Sequence, residues 1–512
     1  MHASMPLTRR SLFALAATGL ATEASAAAPQ GQLTYGVHVS LAPSWFDPGE
    51  AAGIITPYML LYGLHDALVK AMPDSKQALS LAESYTASED GLTHDFVLRH
   101  ATFHNGDQVT SDDVKFSFER YHGASQSLLK QRVAAVETPD AQHVRFRLKE
   151  PWPDFLTFFA GVSGAAWIVP RKYVTQVGDE GFKKAPIGAG PYRFVSFTPG
   201  IELVLEAFDG YWRQTPKVKR LVMKVIPDEA TRLAALKRGE IDIAYSIRGE
   251  LAGELEQTPG LTLKAVVLQG VFCLYFVDQW DPKSPWHDVR VRRAANLALD
   301  RNTINDALTR GYSRVTNSAF IPDMFEFYWQ PPPAVYDPAQ AKQLLAAAGY
   351  PNGFDAGFYN CDSSYANLGE AVVNNLGEVG IRTKLRPLER AAYIKAFAEK
   401  SYKNIIQAGP AGFGNAATRL ESHAVTGGTF TYGTYPDLDA LFQQQANELD
   451  YKRREAILHQ MQQIVHERAI YAPIWQLGFL NGIGPRVAES GFGRIPGFPY
   501  TAPFDELALK GS

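Results

Sequence analysis

Three glycines in six residues open the stretch GPAGFGNAATRLESH, Gly409 to His423, and polar and charged side chains follow. Such a stretch has three chemical readings: a phosphate cradle, a metal site or a pocket wall. A phosphate cradle places a lysine and a hydroxyl after its last glycine, and Gly409, Gly412 and Gly414 precede no such pair. GAGPYRF at 188–194 fails the same test, because Pro191 removes a backbone donor and no third glycine or helix follows. It reads as a turn entering a strand. Ser127-Leu128-Leu129-Lys130 has the spacing that lets a lysine activate a serine one helical turn away, but K-T-G is absent, as are G-x-S-x-G and H-E-x-x-H. The chain is therefore read as a non-enzyme. An exported hydrolase using Ser127 and Lys130 is the competing class.

The twelve histidines are scattered. His100 and His104 fall in a strand and turn, and His459 and His466 are seven apart on a helix, where surface placement is expected. Without cysteine or carboxylate partners at ligand spacing, neither a metal nor another cofactor is expected.

Elements that position these residues alternate along the chain. LTYGVHV (33–39), HDFVLR (94–99), HVRFRLK (143–149), ELVLEAF (202–208), RLVMKVI (220–226) and LTLKAVV (261–267) read as strands, most with period-two alternation. In PDEATRLAALKRGEID, Asp228 caps a helix, Leu233 and Leu236 face inward, and Gly239 ends it. In YDPAQAKQLLAAAGY, Asp337 caps, Pro338 takes the first helical position and Gly349 closes. Beyond residue 280 the sequence becomes helix-rich, which suggests two lobes. Pro331 to Pro333 form a rigid local spacer.

A chain of 512 residues exceeds one simple core. It carries 46% apolar and 20% charged residues and a net charge of -3, ordinary for a soluble protein and without the basic excess that nucleic acid requires. The first 28 residues resemble an export leader: Arg9-Arg10, an apolar run from Leu12 to Leu20, then Ala24-Ser25-Ala26 as an A-x-A site, with cleavage near Ala26. The run is too short to span a membrane. Thr8 to Phe13 resembles a twin-arginine signal; a general secretory signal is the alternative. Export permits a Cys273–Cys361 disulfide, but Cys273 in VFCLYFV reads more simply as a buried thiol.

Read in order, several blocks resemble the extracytoplasmic substrate-binding proteins of ABC importers, solute-binding family five, the peptide/opine/nickel class. They are SLAESYTASEDGLTHDFVLRHATFHNGDQVTSDDVKFSFER (80–120), APIGAGPYRFVSFTPGIELVLEAFDGYW, EATRLAALKRGEIDIAY, DVRVRRAANLALDRNTI and YDPAQAKQLLAAAGYPNG. The resemblance covers essentially the whole mature chain. It implies an α/β periplasmic binding protein fold, type II-like, with two lobes and an extra domain in the first. The first lobe would hold residues 27–268 and 478–512, with the extra domain at 71–184, and the second lobe 269–477. The chain would cross between lobes near Leu268–Val271 and Trp475–Gly478, and close there around ligand. The implied partners are a small-molecule or peptide ligand and an inner-membrane permease, with the protein a periplasmic monomer.

In peptide-binding members of that family, the region matching 409–423 carries Gly-Trp and then an acidic residue that pairs with the peptide's ammonium. Here Gly412-Phe413 stands in that place, and no carboxylate follows before Glu421. An enclosed ammonium without its partner costs about 3–5 kcal/mol, two to three orders of magnitude in affinity. A short peptide or peptide-like compound is the expected cargo, with an opine, a sugar-phosphate conjugate or a chelated metal as the alternative. Phe413 and Asn415 are candidate ligand contacts. Arg419, whose fork could hold a carboxylate or phosphate, is a third, with Glu421 and His423; a surface Arg419–Glu421 pair is the structural alternative. Ser44 and Trp45, after the first strand, and Phe272, just past the crossover, complete the set. Burial in the core is the competing role for Trp45, Phe272 and Tyr275.

Overall fold

The strand Gln30–Val37 lies inside a mixed sheet, paired in parallel with Val218–Val225 on one side and Ile243–Ala244 on the other. The computed structural model to which it belongs describes residues 28–50, 57–409, 412 and 414–511. The export-leader reading and Phe413 therefore lie outside the described residues. The hairpin Tyr192–Thr198 and Glu202–Ala207 extends the sheet at one end. At the other, the ladder runs through Tyr471–Ile483, Thr262–Phe276, Ile405–Ala408, Phe354–Asp362 and Ile381–Leu388.

Two of these strands are long and antiparallel. Thr262 to Val267 pair with Ile483 to Gly478, and pairing resumes from Val271 opposite Gln476 to Tyr275 opposite Tyr471. Residues 268–270 fall out of register between the two ladders. Apolar cores separate at the same place. One is built from residues between Leu33 and Val266 together with Val487 to Leu509. Beyond the break, Phe272, Leu274 and Phe276 enter a core on one face of the sheet, while Val271, Cys273 and Tyr275 enter another. Period-two alternation thus explains why VFCLYFV is apolar throughout: both faces are covered. Cys273 and Cys361 are free, buried thiols.

A second sheet, Ala82–Ala87, Thr93–Leu98, His143–Leu148 and Val133–Glu137, stands apart from the first. Helix Ser111–Arg120 covers it, with a capping box between Thr110 and Asp113.

The expected strands before residue 268 are all present within a few residues. Helix Glu229–Lys237 is capped by Asp228, which accepts from the Thr231 amide at 2.8 Å, and Asp337 caps Pro338–Ala347 likewise. The helix-rich second half also contains strands that the alternation does not reveal. Ile405–Ala408 is buried throughout and Tyr471–Ile483 nearly so, and strands covered on both faces lose their polar–apolar signal. GAGPYRF is a turn into a strand. Gly188 and Gly190 pack against the end of helix Tyr58–Leu64, where a Cβ on Gly190 would stand 2.5 Å from the Gly63 carbonyl oxygen. Among the described residues, no helix is long and apolar enough to cross a membrane.

Candidate ligand site between the lobes

Strand Ile405–Ala408 delivers the chain to the glycine loop. Gly409 cannot carry a side chain, because a Cβ would overlap the Phe272 ring. Phe272 itself is buried and meets Tyr365 edge-on at 4.9 Å. The Gly412 amide donates to the Gln269 carbonyl at 3.0 Å, and the Gln269 side chain donates to the Pro496 carbonyl at 3.0 Å. Three segments therefore meet here: the glycine loop, the out-of-register crossover and the C-terminal tail.

The tail brings aromatic residues to the same place. Phe498 stacks on Tyr58 at 6.2 Å and neighbours Tyr62, which lies edge-on to Trp167. Tyr500 packs on His38 at 4.8 Å and on Tyr245 at 4.9 Å. His38 follows directly on strand Gln30–Val37, at its carboxyl end, where open α/β sheets place ligands. Burial, with the charges of Arg232 and Arg248, pushes the His38 imidazole down to about 4, so it is neutral at pH 7. Arg232 is buried and spends its guanidinium on backbone carbonyls, those of Ile226, Pro227, Tyr245 and Ser246. It fixes the ends of the two strands that flank Gln30–Val37 relative to each other.

After the glycine loop, Asn415 caps helix Ala416–Ala424 by accepting from the Thr418 amide at 3.2 Å. Its Nδ2 donates at 2.6 Å to Asp154, which follows the four-stranded sheet of the other lobe. Arg454, from helix Tyr451–Glu467, makes a salt bridge to the second Asp154 oxygen and donates to Gln445 at 3.0 Å. All three charged or polar groups are buried. Asn415 thus joins the lobes.

Arg419 lies on the buried side of the same helix, where its Nε donates to the Phe320 carbonyl at 3.0 Å. Burial lowers its guanidinium to about 10, which still leaves it charged at pH 7. His423 is buried between Phe320, stacked at 4.6 Å, and Phe430. Burial and the nearby Arg419 charge hold it neutral. Arg419 and His423 are therefore packed in the second lobe's core, and the alternative, a surface Arg419–Glu421 pair, is not formed among the described residues. Glu421 is exposed on the opposite side of the helix. Ser44 and Trp45 lie in the short helix Pro43–Phe46, Trp45 half-buried against the first core.

The remaining chemistry-bearing groups stay apart from this region. Ser127 and Lys130 share a short helix, where Lys130 Nζ donates to the Glu119 carbonyl at 3.0 Å. His466 is half-buried against Trp329 rather than on the surface. Among the described residues, no group of three or more His, Cys, Asp or Glu could hold a metal ion. Sequence reasoning missed His38, Ser246, Tyr500, Asp154 and Arg454. Only His38, closing an alternating strand, and Tyr500, in the aromatic tail GFPYTAPF, left a signal there.

A model of the bacterial extracellular solute-binding proteins, family 5, matches residues 76–430. The chain is similar to heme-binding protein A of Haemophilus influenzae, 26% identical over 81% of this chain and 82% of that protein. It is also similar to the glutathione-binding protein GsiB of Salmonella typhimurium, 28% identical over 75% and 76%. Among solved structures, the binding protein AgaA from A. tumefacien R10, in complex with agropinic acid, superposes with a TM-score of 0.73 at 26% identity, over 94% of this chain and 99% of that one. Two lobes joined by paired strands agree with that kinship. The chain belongs to the family 5 bacterial extracellular solute-binding proteins and is a substrate-binding component of an ABC transporter, not an enzyme.

Proposed function

We propose that the protein captures a small solute, a short peptide or peptide-like compound, in the cleft between its lobes and hands it to an inner-membrane permease. In this reading it acts as a periplasmic monomer after its leader is cut near Ala26. Its first lobe comprises residues 27–268 and 478–512, with the extra domain at 71–184, and its second lobe 269–477. The observation that carries the reading is the interrupted ladder at 268–270, lying between separate apolar cores. A paired strand that loses register between two rigid bodies is where closure can be absorbed. The ligand would lie against the glycine loop with Phe413, Phe272, Tyr58 and the tail aromatics. Ser44, Trp45 and Glu421 are more peripheral members of that proposed wall.

One observation favours non-peptide cargo as the second reading. Asn415, the first residue after the loop with hydrogen-bonding capacity, is committed to Asp154 and to its own helix. No carboxylate stands on the loop to receive a peptide ammonium. Relatives named for heme, glutathione and agropinic acid leave a wide range of cargo open to this family. Mass spectrometry of compounds released on denaturing protein purified from its native host decides between the two. A ladder of short peptides supports the first reading, and a single non-peptide compound supports the second.

A further inference from the structure

Two strands paired in parallel end at the same side of the first-lobe sheet. His38 follows Gln30–Val37, and Ser246 stands two residues beyond Ile243–Ala244. Ser246 has φ +54°, the left-handed region that a side chain disfavours. Its conformation is held on both sides: its amide donates to Asn481 Oδ1 at 3.1 Å, and its carbonyl accepts from Arg232 Nη2 at 2.6 Å. Backbone strain kept in place by buried bonds is a feature of ligand sites.

The tail then lays Tyr500 across this edge. Tyr245 fixes it by donating from its hydroxyl to the Tyr500 carbonyl at 3.2 Å. Tyr500 is only 2% exposed, and its hydroxyl, beside Ser246, has no well-formed hydrogen bond among the described residues. His38 Nδ1 is buried without a partner in the same way. Buried polar atoms are normally satisfied, and two exceptions on rings packed 4.8 Å apart call for an explanation. Two cations belong to this end of the sheet: the Arg232 guanidinium donates to the Tyr245 and Ser246 carbonyls, and Arg248 stands two residues beyond Ser246. Glu229 lies 3.9 Å from Arg248 and offsets part of that charge. The carbonyl of Pro496, four residues before Tyr500, accepts from Gln269 of the crossover at 3.0 Å, so this end of the sheet lies beside the join between the lobes.

We propose that His38, Ser246 and Tyr500, with Arg248 two residues along the chain from Ser246, form a first-lobe subsite for an oxyanion of the cargo, a carboxylate or a phosphate. The proposal rests on the cleft being the capture site. Two hydroxyls, an imidazole N–H and a guanidinium offer donors, and no carboxylate among the described residues accepts from the two rings. The subsite deepens the reading of the cargo, because it requires an acidic group whatever the rest of the compound is.

The test compares wild type, Tyr500→Phe and Arg248→Gln, each purified from the native host and denatured. Released compounds are measured by mass spectrometry per mole of protein, and Tm is measured on the intact proteins. Wild type is expected to release a compound bearing a carboxylate or phosphate, the two being distinguished by accurate mass. Both variants are expected to carry at least about tenfold less. Compared after both have been freed of bound compound, Tyr500→Phe should melt no lower than wild type, since it deletes a buried hydroxyl that makes no well-formed hydrogen bond. A wild-type compound without an acidic group, or equal retention by both variants, overturns the subsite while leaving capture intact. A wild type that carries no compound overturns capture itself, and the subsite with it.

Discussion

Asn415 Nδ2 donates to Asp154 Oδ1 at 2.6 Å, so the residue that starts a helix in one lobe also holds the other lobe. Arg454 takes the second oxygen of the same carboxylate. The helix after the glycine loop is therefore oriented by the partner lobe whenever the two are closed.

Asp154→Ala removes the buried Arg454 guanidinium's salt-bridge partner and leaves it Gln445, the Phe327 ring and the more distant charge of Glu326. Losing one member of a buried pair costs about 3–5 kcal/mol. The cost falls on the closed form, because an open form returns Arg454 to water. Small-angle scattering should show a larger radius of gyration for the variant. Adding Arg454→Met should recover much of the compact form. An unchanged radius in Asp154→Ala would show that the bridge does not hold the lobes together.

Two substitutions at residue 415 separate its local and long-range roles. Asn415→Ala loses the helix cap, about 1 kcal/mol, together with the bridge. Asn415→Asp keeps the cap but sets one carboxylate against another in a buried place, and should open the lobes without lowering helix content. Circular dichroism and scattering on the same samples distinguish them. Equal compactness of wild type and Asn415→Asp would contradict the assignment.

Stability should fall on mild acidification. Burial pushes His65 down to about 4 and His104 down to about 3, while His423 is held well below its ordinary value. In the unfolded chain these groups take up protons near 6.5. Above that pH neither state binds the proton and stability is complete. Between about 6.5 and 4 only the unfolded state binds, so stability declines as pH falls. Tm measured at pH 7.5, 6.5, 5.5 and 4.5 should be flat over the first interval and fall over the rest. Replacing His65, whose Nε2 lies 2.9 Å from the Phe46 carbonyl oxygen, with Gln should flatten that fall. A Tm independent of pH down to 4.5 would sink the idea.

Gly190→Ala should destabilise the first lobe by more than about 3 kcal/mol, because the added carbon meets backbone that cannot yield. Urea denaturation measures it. Gly239→Ala sits at a positive φ in open space, where about 1 kcal/mol is expected instead.

Most of the fold is legible in local pattern. Alternation marks the exposed-face strands, Asp228 and Asp337 mark helix starts, and the family blocks give their order. The candidate site is legible only in part. Phe272 and the glycine loop meet as their positions imply, since Gly409 makes room for the Phe272 ring. Arg419 and His423 look identical in sequence whether a helix turns them outward or inward, and here the helix turns them into a core.

The sequence by itself determined the solute-binding class, the helix caps and the alternating strands, because these depend on neighbours a few residues apart. Tertiary structure decided the rest. Asp154 and Asn415 are 261 residues apart, and His38 and Tyr500 are brought together only when the tail returns across the first sheet. Their pairing depends on which strand ends share an edge and which lobes touch. No local periodicity encodes that, because the energy of a long-range contact appears only after both partners have been placed by their own elements.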